Sequence, residues 1–137
     1  MSVNYFLDTN VLVYLHDASA PAKQERAFSL LAAGIRTGKI TLSTQVLTEY
    51  SAVLLRKLKF PVSSIVEEIH YLSCCRIEEI GLNTILEALR VHNENQISIW
   101  DALIVASASQ ARCELVYTED LNHDQVIEGV RICNPFR

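Results

Sequence analysis

Asp8 stands directly behind a short apolar run, Val3 to Leu7, and directly before Thr9-Asn10 and a second apolar series, Val11 to Leu15. Asp120 repeats that arrangement behind Glu114-Leu-Val-Tyr-Thr118. Glu49 and Asp101 fall inside helical patterns, Glu49 beside Val46 and Val53, Asp101 beside Ile97, Ile104 and Val105. Asp101 is the only charge between Asn95 and Arg112, and an unpaired charge among apolar neighbours is costly. Each acid alone has a plain structural explanation. Glu49 can reach water from the border of its stripe, Ser98-x-x-Asp101 matches a capping box, and a loop Asp is a common turn former. Together they say more, because four carboxylates converging on one edge cannot all stay ionised without compensation. Oxygen donors without Cys or His suit Mg²⁺ or Mn²⁺, ions that activate a water and clamp a scissile phosphate for in-line hydrolysis. Thr9 and Thr118 either orient these groups or serve as ordinary turn and cap residues. Glu119 and Asp124 flank Asp120, so which acid points inward is open.

The elements must deliver those acids to one place. Val3–Leu7 reads as a strand and Asn10–His16 as a helix start, which puts Asp8 at the carboxyl end of an opening strand. In open parallel sheets that edge is where ligand sites are built. Pro21 starts a second helix, with Phe28, Leu31, Ala32 and Ile35 in helical spacing and Gly38 after its end. Lys39–Ser43 is a strand candidate. Gln45–Lys59 is a helix with Val46, Tyr50, Leu54 and Leu58 on one stripe and Arg56, Lys57 and Lys59 in a basic last turn. A helix opened by Pro61 turns Val62, Ile65, Val66, Ile69 and Leu72 inward, and Arg76–Ile80 is a weak strand. Leu82, Ile85, Leu86 and Leu89 form the stripe of a further helix. Ser98 caps an apolar helix to about Ala111, and Glu114–Thr118 and Val130–Cys133 are the last strands. Strands separated by helices imply a parallel sheet covered on both faces. No internal repeat, low-complexity run or linker interrupts it, so residues 1–137 are expected to form one domain.

Composition narrows the class. Half of the 137 residues are hydrophobic and a fifth charged, as in a globular protein. The short apolar run before Asp8 argues against a secretory signal, and the longest apolar segment is broken by Asp101, so a cytoplasmic location without membrane contact is expected. Cys74, Cys75, Cys113 and Cys133 have no ligand-pair spacing, so buried reduced thiols are expected rather than zinc or disulfides. His16, His70, His92 and His123 share no ligand spacing and are expected mostly at the surface. A net charge of −4 suggests no general DNA-binding face, although bound cations or a local basic patch can reverse the sign at one site.

Leu7-Asp8-Thr9-Asn10, the early helical Glu49, Trp100-Asp101-Ala102 and Tyr117-Thr118-Glu119-Asp120-Leu121 resemble the PIN-domain nucleases. The closing Gly129-Val-Arg-Ile-Cys-Asn-Pro-Phe136 is similar to the tail of their VapC-type toxin branch. The resemblance runs over essentially the whole chain. It implies a three-layer α/β/α sandwich on a parallel sheet of about five strands, and a Mg²⁺- or Mn²⁺-dependent endoribonuclease. It also implies a homodimer neutralised by a small antitoxin whose tail enters the acidic groove. In that frame Asp8, Glu49 and Asp101 hold the first metal, with Asp120 completing the site or helping a second. Thr9 and Thr118 match the hydroxyl positions, and Asn10 supports the first acid. Arg56, Lys57 and Lys59 become candidates for the RNA backbone. One departure stands out: His123-Asp124-Gln125 carries an acid where many relatives have glycine.

Three other classes compete. A phospho-acceptor signalling domain also gathers acids at a parallel sheet edge, but by resemblance to known receivers it needs a late lysine, and the last here is Lys59. A non-catalytic module holding RNA or a protein partner on the same fold, and an RNA-processing nuclease without an antitoxin, are both compatible with the four acids.

Overall fold

In the computed structural model, which describes residues 3–137, β1 (Tyr5–Leu7) lies in the middle of the sheet with Phe6 and Leu7 fully buried. It is followed by α1 (Thr9–Val13), a 3₁₀ turn (Tyr14–His16), α2 (Pro21–Thr37) and β2 (Ile40–Ser43). Then come α3 (Thr44–Arg56), α4 (Val62–Leu72), β3 (Arg76–Glu78), α5 (Leu82–Asn95) and α6 (Ile99–Gln110). The chain closes with β4 (Leu115–Tyr117), β5 (Val126–Ile127) and β6 (Val130–Cys133). The sheet order is β3-β2-β1-β4-β6-β5. Five strands are parallel and helices cover the sheet, so the expected sandwich is present. The sixth strand, the two-residue β5, is an addition to the five that the sequence pattern marks. It pairs antiparallel with β6 across Glu128-Gly129, two residues with φ of 53° and 76°, the paired positive angles a two-residue hairpin demands.

The strand order reverses beside β1, with β2 on one side and β4 on the other, which makes the edge between β1 and β4 the switch point where open α/β sheets place ligands. Register fixes what meets there. Leu7 is paired with Tyr117, so the next residues, Asp8 and Thr118, leave the sheet side by side. Close packing sets the other end of these strands. A Cβ on Gly34 of α2 would stand 2.5 Å from Ile40 Cβ and 2.6 Å from the Tyr5 hydroxyl, so only glycine lets α2 lie this near β1 and β2.

Several apolar stripes face differently from their sequence reading. The helix α5 buries Thr84, Ala88 and Val91, and presents Leu82, Ile85, Leu86 and Leu89 to solvent. Its partner α6 is buried on nearly every side from Ala102 to Ala108, and small side chains let the two helices approach. In α4 the buried row is Ile65 and Leu72 with Ile69 partly covered, while Val62 and Val66 lie one step round and are exposed. Phe28 is exposed too, because α2 packs through Ala27, Leu30, Leu31 and Gly34. The third helix ends at Arg56, so Leu58 and Lys59 belong to the following loop. Cys75 and Cys113 are buried thiols as expected, whereas Cys74 is exposed. Among the described residues no helix is long and apolar enough to cross a membrane.

Candidate active site

Asp8 caps α1 from the end of β1, and its burial is nearly complete, with 6% of its surface exposed. Its Oδ1 accepts from the Thr9 backbone N–H at 2.7 Å, and its Oδ2 accepts from Thr118 Oγ1 at 2.9 Å and Asn10 Nδ2 at 3.3 Å. Asp101 occupies the first turn of α6, where its N–H donates to Ser98 Oγ at 3.1 Å. The capping contact and the inward carboxylate therefore coexist. Asp120 follows β4, its N–H donating to Thr118 Oγ1 at 3.1 Å and its Oδ2 accepting from Asn10 Nδ2 at 3.0 Å. Asp8, Asp101 and Asp120 each offer an oxygen, all within 4.8 Å of one another.

Glu49 stands on the wall of the same cleft but outside that trio. Thr9 Oγ1 donates to its Oε1 at 2.7 Å, and Gln45 Nε2 lies 3.5 Å from its Oε2. Thr9 thus positions Glu49 by its hydroxyl and Asp8 by its backbone. Thr118 ties Asp8 to Asp120, and Asn10 spans the same two acids while its Oδ1 accepts from the Glu119 N–H at 3.2 Å. The three polar residues named from the sequence are all hydrogen-bonded to candidate acids. Of the three cations, Lys57 lines the cleft, and the exposed Arg56 and Lys59 do not.

The cleft has a volume of about 540 Å³, and its lining includes Tyr14, Asp17 and Trp100 beside the acids. Its electrostatics are unfavourable to bare carboxylates. Burial lifts the Asp8 carboxyl to about 6, against the Thr118 and Thr9 hydrogen bonds that lower it, with Asp120 and Glu49 adding to the rise. Asp101 is raised as well, first by burial and then by Asp120 and Glu49, although its bond with Ser98 opposes this. Among the described residues none of the three clustered acids has an ion-pair partner. A hard divalent cation answers both problems, supplying charge to an all-oxygen donor set.

The loop beyond β4 settles which acid faces inward. Glu119 also lines the cleft, but it stands outside the trio, paired with Lys23 Nζ at 2.8 Å and accepting from Tyr14 Oη at 2.8 Å. Asp124 is exposed, 3.5 Å from His123, and adopts φ of 67°. That angle is the conformation glycine adopts freely and Asp tolerates better than most residues. The Lys23–Glu119–Tyr14 contact is not legible in the sequence because Glu119 lies 96 positions from Lys23 and 105 from Tyr14. His16 also differs from a plain surface residue. Its Nε2 lies 2.7 Å from Tyr50 Oη and 2.8 Å from Glu68 Oε1 in a half-buried cluster.

Comparison with known proteins places this geometry. A family model described as the PIN domain matches residues 5–128. A toxin–antitoxin complex from Klebsiella pneumoniae is similar in structure, at 20% identity over 96% of this chain and 98% of that one, with a TM-score of 0.72. A DNA-bound VapBC from Salmonella typhimurium has 18% identity over 96% and 97%, with a TM-score of 0.69. Mycobacterium tuberculosis VapC20, described as a toxin that cleaves the sarcin–ricin loop, has 23% identity over 85% and 90%, with a TM-score of 0.65. No curated protein sequence matches the chain. At these identities the solved structures speak for the fold, whereas the family model spans all but the two ends of the sequence; the chain belongs to the PIN domain family.

Proposed function

We propose that this protein is a Mg²⁺- or Mn²⁺-dependent endoribonuclease and the toxin of a toxin–antitoxin pair. The observation that carries the chemistry is the trio Asp8, Asp101 and Asp120, with oxygens inside 4.8 Å and, among the described residues, no ion-pair partner. These three would hold the ion, with Glu49 beside them on the cleft wall. When bound, such an ion supplies positive charge to a phosphodiester and makes a water more acidic. The chain's own groups do the positioning. Thr9 N–H and Thr118 Oγ1 keep Asp8 in one rotamer, and Asn10 holds Asp8 and Asp120 at a fixed separation. Glu49 Oε2, with only the long contact to Gln45, is the oxygen free to take a proton from a water at the cleft wall. Lys57 offers a cation to the RNA backbone.

The toxin assignment is supported by the fold shared with toxins in complexes with antitoxins. The outward apolar faces of α5 and α4 support a protein-bound, homodimeric state in which they are covered. Cleavage of a mixed RNA panel with EDTA, Mg²⁺ or Mn²⁺, alongside Asp8→Asn, tests the activity. Cutting that needs the ion and vanishes in the variant is expected. Metal-independent cutting, or full activity of Asp8→Asn, overturns the reading. Light scattering at micromolar concentration checks the dimer, which a monomeric mass would exclude.

A further inference from the structure

We infer that Trp100, with the hollow beside it, is a stacking subsite for an unpaired nucleobase next to the scissile phosphate. This rests on the nuclease reading above. Trp100 directly precedes Asp101, yet 62% of its surface is exposed, and its ring forms part of the cleft that holds the acids. Trp100 also lines a second hollow of about 310 Å³, together with Thr44, Gln45, Thr48, Glu49 and Ile80. Gln45, Glu49 and Trp100 border both spaces, so the hollow adjoins the acidic cleft.

The walls suit a base. Trp100 and Ile80 supply apolar surface, and the threonines and the Gln45 amide supply polar groups at the edge. The platform is held in place from behind. Ser98 caps α6, and Gln45 Nε2 donates to the Trp100 carbonyl at 3.3 Å. Gln45 itself gives a second, independent indication of a ligand. Among the described residues its Oε1 is the buried side-chain oxygen without a hydrogen-bond partner. Both contacts of its Nε2 are long, so the amide is loosely held and its Oε1 is an acceptor left over for a base's exocyclic amine.

Phosphate and base requirements then separate. The carboxylates and their ion take the phosphodiester, which is common to every RNA, whereas stacking needs an exposed base face, which a duplex lacks. The Trp100 hollow therefore gives the site its preference for single strands and for the base beside the cut.

The chain has one tryptophan, so indole emission reports on Trp100 alone. Parent protein in Mg²⁺, with emission read in a rapid-mixing instrument ahead of cleavage, is titrated with single-stranded oligoadenylate, oligouridylate and oligocytidylate of about ten nucleotides, within the usual span of one binding groove, and with a duplex of equal length. At least one single strand is expected to quench the emission, and the duplex is not. In the active protein, Trp100→Ala is expected to raise KM about tenfold, in the range set by loss of one stacked base. Trp100→Phe is expected to stay near the parent value. Circular dichroism checks that both variants fold, which the exposure of Trp100 favours. Emission unchanged by every single strand, leaving the ring free for a protein contact, overturns the inference. So does equal quenching by the duplex, or Trp100→Ala with parental KM and cleavage positions. Quenching by single strands without any cutting by the parent protein would sink the nuclease reading while keeping the RNA subsite.

Discussion

Two groups of three carboxylates on this protein have opposite solutions. On the outer surface Glu87, Glu94 and Glu128 all converge on Arg90, whose guanidinium answers all three. At the switch point of the sheet Asp8, Asp101 and Asp120 converge with hydrogen-bond donors but, among the described residues, with no ion-pair partner. The surface group is largely solvated and neutralised, so Glu87 is held below the usual carboxylate range by its bond to Arg90. The cleft group is more buried and unneutralised, so Asp8 and Asp101 move the other way. The contrast separates a charge cluster that decorates a fold from one whose missing charge must come from outside.

The largest expected effect breaks the comparison by function. Asp101→Asn should reduce RNA cleavage by at least about 100-fold, since loss of even an outer partner of a metal site costs up to that much. Glu94→Gln in the surface group should leave the cleavage rate unchanged. Initial rates on one RNA substrate in Mn²⁺ check both, and equal losses would erase the distinction. A second expected effect is ligand-linked. At a concentration about 100 times its dissociation constant, a divalent ion stabilises the fold by about 2.7 kcal/mol, which for a chain of this size raises Tm by several degrees. Thermal unfolding in Mg²⁺ against EDTA should show that rise in the parent protein and little of it in Asp8→Asn.

Much of this cleft was legible in the sequence because its key acids sit at positions that local pattern defines. Asp8 ends an apolar strand run, Asp101 is the third residue after a Ser cap, and Asp120 follows a strand. What local pattern could not supply was the face on which each apolar stripe packs. The row Leu82, Ile85, Leu86 and Leu89 has perfect helical spacing but lies outward, because Thr84, Ala88 and Val91 permit the closer approach to α6. The grouping of the acids was only partly legible, since Thr9 holds Glu49 away from the trio through a contact forty residues apart in sequence. The β5–β6 hairpin escaped because Glu128-Gly129 lacks the Asn or Asp that usually announces such a turn.

A third effect is pH-dependent and sharpens the comparison on the cleft side. Asp8 rises from 3.8 to about 6 in the fold, so the folded chain binds its proton more tightly than the unfolded one. Its contribution favours folding fully below about pH 4 and is lost as pH rises through 6. At 1.36 kcal/mol per unit, the loss is roughly 3 kcal/mol. Urea unfolding in EDTA at pH 5 and pH 7.5 should therefore show a steeper fall in stability for the parent protein than for Asp8→Asn. Parallel pH dependence in the two proteins would mean that Asp8 is not strained by its burial. Adding a divalent ion should flatten the parent curve above pH 6, because the bound charge replaces the proton.

The smallest expected effect belongs to the surface group. Arg90 is a two-fifths exposed side chain whose pairs reach along α5 to Glu87 and Glu94 and across to Glu128 at the β-hairpin. Exposed ion pairs add little in water and less in salt, so Arg90→Gln should lower Tm only slightly in dilute buffer. It leaves three like charges without their common cation, and the deficit should shrink as NaCl rises toward 1 M, where the screening length is about 3 Å. The cleft responds to a different variable. Sodium chloride screens exposed charges but does not substitute for a divalent ion held by several converging carboxylate oxygens. The stability gained from Mg²⁺ should therefore persist at a salt level that removes the Arg90→Gln difference. Thermal unfolding of parent and variant, with and without Mg²⁺ at low and high NaCl, checks both halves. A Mg²⁺ gain that faded in step with the Arg90 effect would place the ion on the surface rather than among Asp8, Asp101 and Asp120.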